Sequence, residues 1–376
     1  MSQSLQRVCV TGTGSFLPGK PVANDQIDAV LGRLTEAPAR VQQFVETVGR
    51  RMLESGGVKT RHFAIDPETH CLTHTIASLG EEAARRAIDA AGKKPTDVDL
   101  LILSSPSYDQ TTPPTTTVLQ ERLGIDSCAE MEIHSNCAGV GKGMQVAFDA
   151  LRLGRYRTAL VVYSQLSSVY LRGCYYNQPQ MSKTQAMLRY ILADGSGAVF
   201  LEARPTNGAA ALPGEVMGTF VESVGGKRLP GMTAGGGVED VKGNQKPVLN
   251  PWECGSHHLD QDFAAVSRDA GPFLLNGMVR MLESLRIDPG TVDHYIGSIP
   301  TLQLYNDNME RFREGLKATP EKMPFRAATV GYCGGASILI HFDEMIRSGE
   351  IKRGQLVALH SVESSKWMSA GFVTRW

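Results

Sequence analysis

Three shortages bound the reading of this chain. Long apolar runs are missing: none of its 376 residues lie in a stretch approaching the ~20 needed to span a bilayer, which argues against a membrane helix. A charge imbalance is missing as well. With 38 Lys+Arg against 39 Asp+Glu the formal net charge is −1, so there is no electrostatic case for a nucleic-acid partner. The basic pairs Lys227-Arg228 and Lys352-Arg353 read as solvated loop charges. Paired cysteine spacing is the third shortage. The seven cysteines, at 9, 71, 128, 137, 174, 254 and 333, are scattered as in a reduced, cytoplasmic protein. MSQSLQRVCVTG has no apolar signal core, so a cytoplasmic location is expected.

Two tempting sites fail on composition. Gly12-Thr13-Gly14 is a fragment of a dinucleotide fingerprint whose third glycine is missing. Cys254, His257, His258 and Asp260 stand close together, but no second cluster supplies the remaining ligands, so no metal is expected.

What the chain does have is concentrated between Met131 and Ser164. A short apolar run ends in Ser135 and Asn136, and Cys137 follows beside Ala138, Gly139, Gly141 and Gly143. Met144, Val146, Ala147, Phe148 and Leu151 then keep helical spacing until Gly154, and Ala159 to Val162 read as a strand. Cys137 is thus expected at a strand-to-helix turn, where small neighbours admit a close approach and a helix N-terminus favours a thiolate and a developing oxyanion. That is a position for a nucleophile. The competing reading is a buried structural cysteine.

The second half repeats the first. A shift of 194 positions carries Val98 onto Val292, Pro106 onto Pro300, and Phe148-Asp149 onto Phe342-Asp343. The chain therefore reads as two copies of one α/β unit, residues 1–205 and 206–376. Gly225 to His258, rich in glycine and proline, reads as a long loop or lid.

Asn136-Cys137-Ala138-Gly139 after an apolar strand resembles the nucleophile turn of the thiolase superfamily, specifically 3-oxoacyl-(acyl carrier protein) synthase III. Val10 to Gly14 with Leu17-Pro18, Gly57-Val58 with Arg61, and Ala193 to Ala198 are similar to further segments of that family, so the resemblance covers nearly the whole chain. It implies a duplicated thiolase-like αβαβα five-layer sandwich, in keeping with the repeat, and a homodimer. It also implies acyl loading of Cys137 from acyl-CoA or an acyl carrier protein thioester, with no bound cofactor.

The family also uses a histidine, an asparagine and a C-terminal glycine-rich stretch, and this sequence departs from all three. Ser298 stands at the histidine position and Tyr332 at the asparagine, while Glu363 to Ser369 replaces the glycine-rich stretch. Losing one preorganised oxyanion or enolate donor typically costs ~100 to 1000-fold in rate. Decarboxylative condensation is therefore disfavoured even where acyl loading survives. Glu363 is the leading replacement base, with Ser364 beside it. His134, His341 and His360 are read as structural or alternative groups. Arg40, Arg50, Arg51 and Arg155 are candidates to contact a phosphopantetheine donor, and Tyr175, Tyr176 and Met187 to narrow the pocket.

Three functions stay open. One is a specialised acyltransferase that passes an acyl group from Cys137 to a small-molecule acceptor. Another is a synthase III-like component of a hetero-complex with a thiolase-like catalytic subunit, as in a multicomponent phloroglucinol acetyltransferase of polyketide-type metabolism. The third is a condensing enzyme with rewired donors.

Overall fold

The computed structural model describes residues 5–206, 211–235, 255 and 257–376. The first half contributes β1 (Arg7–Phe16), α1 (Ile76–Ala90), β2 (Leu100–Ser105), α2 (Thr115–Leu123), β3 (Ala129–His134), α3 (Gly139–Arg152), β4 (Thr158–Gln165) and β5 (Gly195–Arg204). The second contributes β6 (Glu215–Ser223), α4 (Phe263–Ser284), β7 (His294–Gly297), α5 (Leu302–Leu316), α6 (Ala336–Arg347), β8 (Leu356–Glu363) and β9 (Met368–Arg375).

The nine strands lie in the order β7-β8-β9-β6-β1-β5-β4-β2-β3. Each half has the same plan. A parallel pair, β2 with β4 or β7 with β8, is continued by two antiparallel neighbours. The halves join where Cys9 faces Glu215 across β1 and β6. The 194-residue shift lays the 3-10 turn Pro95–Asp97 onto Pro289–Thr291 and the start of β2 onto the start of β7. The edge strand β3 has no strand counterpart in the second half among the described residues.

Helices make the other three layers. α1 and α2 cover the outer face of the first half, α4 and α5 that of the second, and α3 and α6 lie between the two. The sequence dictates this placement. α6 buries Ala336, Ile338, Leu339, Ile340, Phe342 and Met345, leaving no wide polar face, which suits a helix enclosed on all sides. Its Asp343 is also buried, and its carboxylate accepts from Thr13 Oγ1 at 2.8 Å, Ser15 Oγ at 2.5 Å and Arg347 Nε at 3.0 Å. Without those partners its burial would be costly. α3 buries Val140, Met144, Phe148 and Leu151 in the same layer, each large side chain contributing about 1.5–3 kcal/mol.

On the outer face α1 packs so closely on β1 that a Cβ at Gly12 would lie 2.1 Å from the Ala87 carbonyl oxygen. The Gly12-Thr13-Gly14 fragment is thus a seat for α1. The helix itself starts at Thr75, whose side chain accepts from Ser78 N at 3.2 Å.

Residues between β4 and β5 form a cap with the segment near residues 22–65. Fully buried Arg61 ties it together, donating to the Tyr190 carbonyl and, at 2.9 Å, to Asn24 Oδ1. Burial draws its pKa down to about 10.

Most of the loop expected at 225–258 lies outside the described residues, as does Cys254. Its base is a two-stranded pairing of Met232–Thr233 with Asp260–Gln261. His257 and His258 pack against Tyr175 and Tyr176, with ring centroids 4.9 and 5.1 Å apart. Among the described residues no cluster of His, Cys, Asp and Glu is arranged to hold a metal ion. No helix among them is long and apolar enough to cross a membrane.

Candidate active site

The turn between β3 and α3 carries Cys137. Close packing shapes this turn: a Cβ on Gly139 would lie 2.8 Å from the Tyr163 ring, and one on Gly141 would lie 2.5 Å from Ala370 Cβ on β9. The glycines after Cys137, expected to admit the close approach of a backbone or an incoming carbonyl, let α3 seat between the two halves of the sheet. α3 begins at Ala138 without a side-chain cap. The Ala138 N–H donates to Glu363 Oε2 at 3.3 Å.

Opposite Cys137 stands the turn that leads into α6. It is the second half's counterpart of the Cys137 turn, since each enters a central helix. Gly331 has φ +77°, and a Cβ there would meet Arg61 Cβ at 2.7 Å and Ala193 Cβ at 2.8 Å, so only glycine suits both backbone and space. Tyr332 follows, its carbonyl accepting from Ala193 N at 2.9 Å. The Asp194 segment thereby holds Tyr332 against the cap. Asp194 is itself fixed by Ala64 N at 2.7 Å and Ser168 N at 2.9 Å.

Tyr332 Oη lies 3.0 Å from Cys137 Sγ. Ser298, just beyond β7, hydrogen-bonds the same phenol, and its Oγ also accepts from Val362 N at 3.3 Å. Burial pushes the Cys137 thiol up to about 12; the Tyr332 hydrogen bond opposes this shift and the nearby Glu363 charge adds to it. Tyr332 is raised well above the ordinary phenol range, chiefly by burial. At rest the pair is therefore a neutral thiol beside a neutral phenol.

Glu363 ends β8 on the inner side and is 2% exposed. Its Oε2 accepts from Ser135 Oγ at 2.6 Å, and its Oε1 from Ser365 Oγ at 2.5 Å. Ser135 in turn receives Lys142 Nζ at 2.8 Å, and Nζ also contacts Met368 Sδ at 3.2 Å. The carboxylate lies against the α3 N-terminus, where negative charge is favoured.

Cys137, Ser298, Tyr332, Glu363 and Ser364 all line one cavity of about 1360 Å³. Tyr108, Tyr170, Tyr175, Leu192, Phe263 and Leu304 give it aromatic and aliphatic walls. Some expectations require correction. His134, read as a structural or alternative group, lines the cavity from the last position of β3, just before the turn at 136–138. His360 does not. It is on the outer face of β8 against α4, with Nε2 2.5 Å from Ser369 Oγ, and burial brings its pKa down to about 3. Of the residues expected to narrow the pocket, Tyr175 lines it, whereas Tyr176 and Met187 are buried in the cap. Arg40, Arg51 and Arg155 are not among the lining residues. Ser135, Lys142 and Tyr163 were missed by sequence reasoning. They belong to no motif and acquire meaning only once β8 and β4 are placed beside the turn.

Comparison with known families and structures agrees with this geometry. Residues 131–219 match the model of 3-oxoacyl-[acyl-carrier-protein] synthase III, and residues 282–372 match that of its C-terminal part. The chain is similar in structure to a tetronic acid condensing enzyme, AbyA1, at 25% identity, TM-score 0.75, covering 98% of this chain and all of that one. It is similar to 3-oxoacyl-(acyl carrier protein) synthase III of Pseudomonas aeruginosa at 20% identity, TM-score 0.76, covering 98% of each. A priming β-ketosynthase of the R1128 polyketide pathway is similar at 20% identity, TM-score 0.77, covering 100% of this chain and 97% of that one. The fold is thiolase-like. The two family models match the stretches that carry the Cys137 turn and the Tyr332 turn.

Proposed function

We propose that this chain is a synthase III-like acyltransferase component in which Cys137 accepts an acyl group and passes it to a small-molecule acceptor without decarboxylation. The observation that carries this reading is the Cys137–Tyr332 contact of 3.0 Å at the wall of a cavity of about 1360 Å³. A nucleophile faces a space large enough for an acyl chain and an acceptor together. Its neighbours are a tyrosine and a serine at the positions the resemblance assigns to the family's asparagine and histidine. Both are hydrogen-bond donors, and neither is a base near neutral pH.

In the loading step Cys137 sulfur attacks the thioester carbonyl of acyl-CoA or an acyl carrier protein. A new C–S bond forms, the donor's C–S bond breaks, and the thiol proton leaves with the donor's thiol. Tyr332 donates to the sulfur whenever it is anionic, easing both its attack and its later departure. In the transfer step an acceptor hydroxyl or amine attacks the acyl carbon, with Glu363 as base, and Cys137 leaves. The neighbouring tetronic acid and polyketide enzymes support a role in specialised metabolism. The exposed edge strand β3 supports a homodimer, because its outer backbone groups are open to pairing.

Intact-protein mass spectrometry after incubation with acetyl-CoA and longer acyl-CoAs tests the reading. One acyl adduct is expected in the parent protein and none in Cys137→Ala. No adduct with any donor, with or without a co-purifying subunit, rejects it.

A further inference from the structure

A polar chain that the loading step does not use runs from Lys142 to Ser135 and Glu363 in the cavity wall. Lys142 Nζ donates to Ser135 Oγ at 2.8 Å, and Ser135 Oγ donates to Glu363 Oε2 at 2.6 Å. Its direction is fixed by chemistry. An ammonium group has donors and no acceptor, so Ser135 must accept from Lys142, and its single proton is committed to Glu363. Oε2 also takes the Ala138 N–H, which fills that oxygen. Oε1 takes Ser365 Oγ and retains one acceptor site. The oxygen with free capacity is therefore Oε1, on a carboxylate whose other oxygen is pinned at 2.6 and 3.3 Å.

The geometry points to Lys142 as a positioning residue. Through Ser135 it orients Glu363 so that Oε1 takes the proton from the acceptor hydroxyl or amine as it attacks acyl-Cys137. This rests on the acyltransferase reading and names the device that drives its second step. The balance is complete. The acceptor's oxygen or nitrogen forms a bond to the acyl carbon, and the Cys137 C–S bond breaks. The acceptor's proton passes to Glu363 and is returned to the Cys137 sulfur, which restores the thiol.

The groups facing Glu363 are consistent with this role. Cys137 approaches from the turn, Tyr163 from β4 and Lys142 from α3 through Ser135. On its own hairpin, Lys366 turns away to the Arg228 carbonyl and His360 points to the opposite face of the strand. Among these groups Lys142 supplies the cation. The two hydrogen bonds in series place Nζ no more than 5.4 Å from Oε2.

The test separates loading from transfer in Lys142→Met, Lys142→Arg and Ser135→Ala, with each variant's melting temperature recorded. Parent and variant proteins are acylated with acetyl-CoA, freed of donor, and mixed with a small phenol or amine; decay of the acyl adduct is followed by mass spectrometry from pH 5 to 9. The expected result has three parts. Lys142→Met loads as the parent does. Its transfer is slowed about 10-fold or more near neutral pH, with the midpoint of the pH profile raised. Lys142→Arg restores both, because a donor-only cation is restored. Ser135→Ala breaks the same chain and slows transfer likewise, so a failure of one variant to fold leaves the other decisive. A parent that loads and transfers, with variants that keep its rate and pH profile, overturns the positioning role alone. A parent that never loads overturns the acyltransferase reading, and this inference falls with it.

Discussion

Replacing Tyr332 by phenylalanine removes one oxygen and little else, and its effect on Cys137 can be worked through. The phenol oxygen lies 3.0 Å from sulfur and is the main group holding the thiol's pKa down against burial and the Glu363 charge. A hydrogen bond to a charged group contributes about 1.5–3 kcal/mol, so its loss should raise the thiol by roughly one to two pH units. Reactivity changes less than that. Thiolate nucleophilicity rises with basicity with a slope of about 0.4–0.5, so roughly half of the lost thiolate fraction is recovered. At fixed pH below the thiol's titration, Tyr332→Phe should react with a small neutral disulfide about 3- to 10-fold more slowly. The assay follows the Cys137-containing peptide by mass spectrometry across pH 7 to 9, because Cys71 and Cys174 are exposed and react as well. A rate in Tyr332→Phe equal to or above the parent's would refute the claim that the phenol stabilises the thiolate. Ser298 keeps its Val362 partner in the variant, so the melting temperature should change little.

Other expectations are simpler. Gly141→Val places a side chain where a Cβ alone meets Ala370 Cβ at 2.5 Å and Gly371 N at 2.6 Å. It should destabilise the protein by about 1–3 kcal/mol or more, read by urea unfolding, and an unchanged midpoint would show that α3 is not wedged against β9. His360 bears on acid stability. Its folded pKa is about 3 against 6.5 ordinarily, so the unfolded chain binds the proton first and stability falls as pH drops below 6.5. His360→Gln should therefore gain about 1.5 kcal/mol relative to the parent between pH 6.5 and 5.0, and a constant gap would contradict the assigned shift.

The parts of this molecule legible in its sequence are those fixed by local pattern. Cys137 could be placed at a strand-to-helix turn because β3 and α3 announce themselves by periodicity on either side of it. The repeat was legible because Val98 and Val292, or Phe148 and Phe342, keep one spacing through elements folded alike. What periodicity cannot carry is a partner far away in the chain. Ser135 meets Glu363 across 228 positions, and Lys142 matters only because Ser135 lies between them. The glycines left two readings open for a related reason. A small residue next to a nucleophile is needed equally by an incoming substrate and by a neighbouring strand, and only the position of Ala370 decides between them. His134 was not legible as a cavity residue, because the cavity it lines is closed by elements far away in the chain.

The hydrogen bond between Cys137 and Tyr332 spans 195 positions, one more than the shift that relates the two copies of the unit. Sulfur and phenol therefore occupy matching corners of a duplicated unit, brought face to face by its internal pseudo-symmetry. One copy holds the nucleophile, and the other holds the phenol, the serine behind it and the carboxylate. Neither copy alone is a site. A nascent chain that has folded only its first copy presents a cysteine with no attendant chemistry, and the thiol acquires its partners when the second copy docks. On the proposed function, reactivity is thus withheld until the last strands, β8 and β9, have closed the sheet.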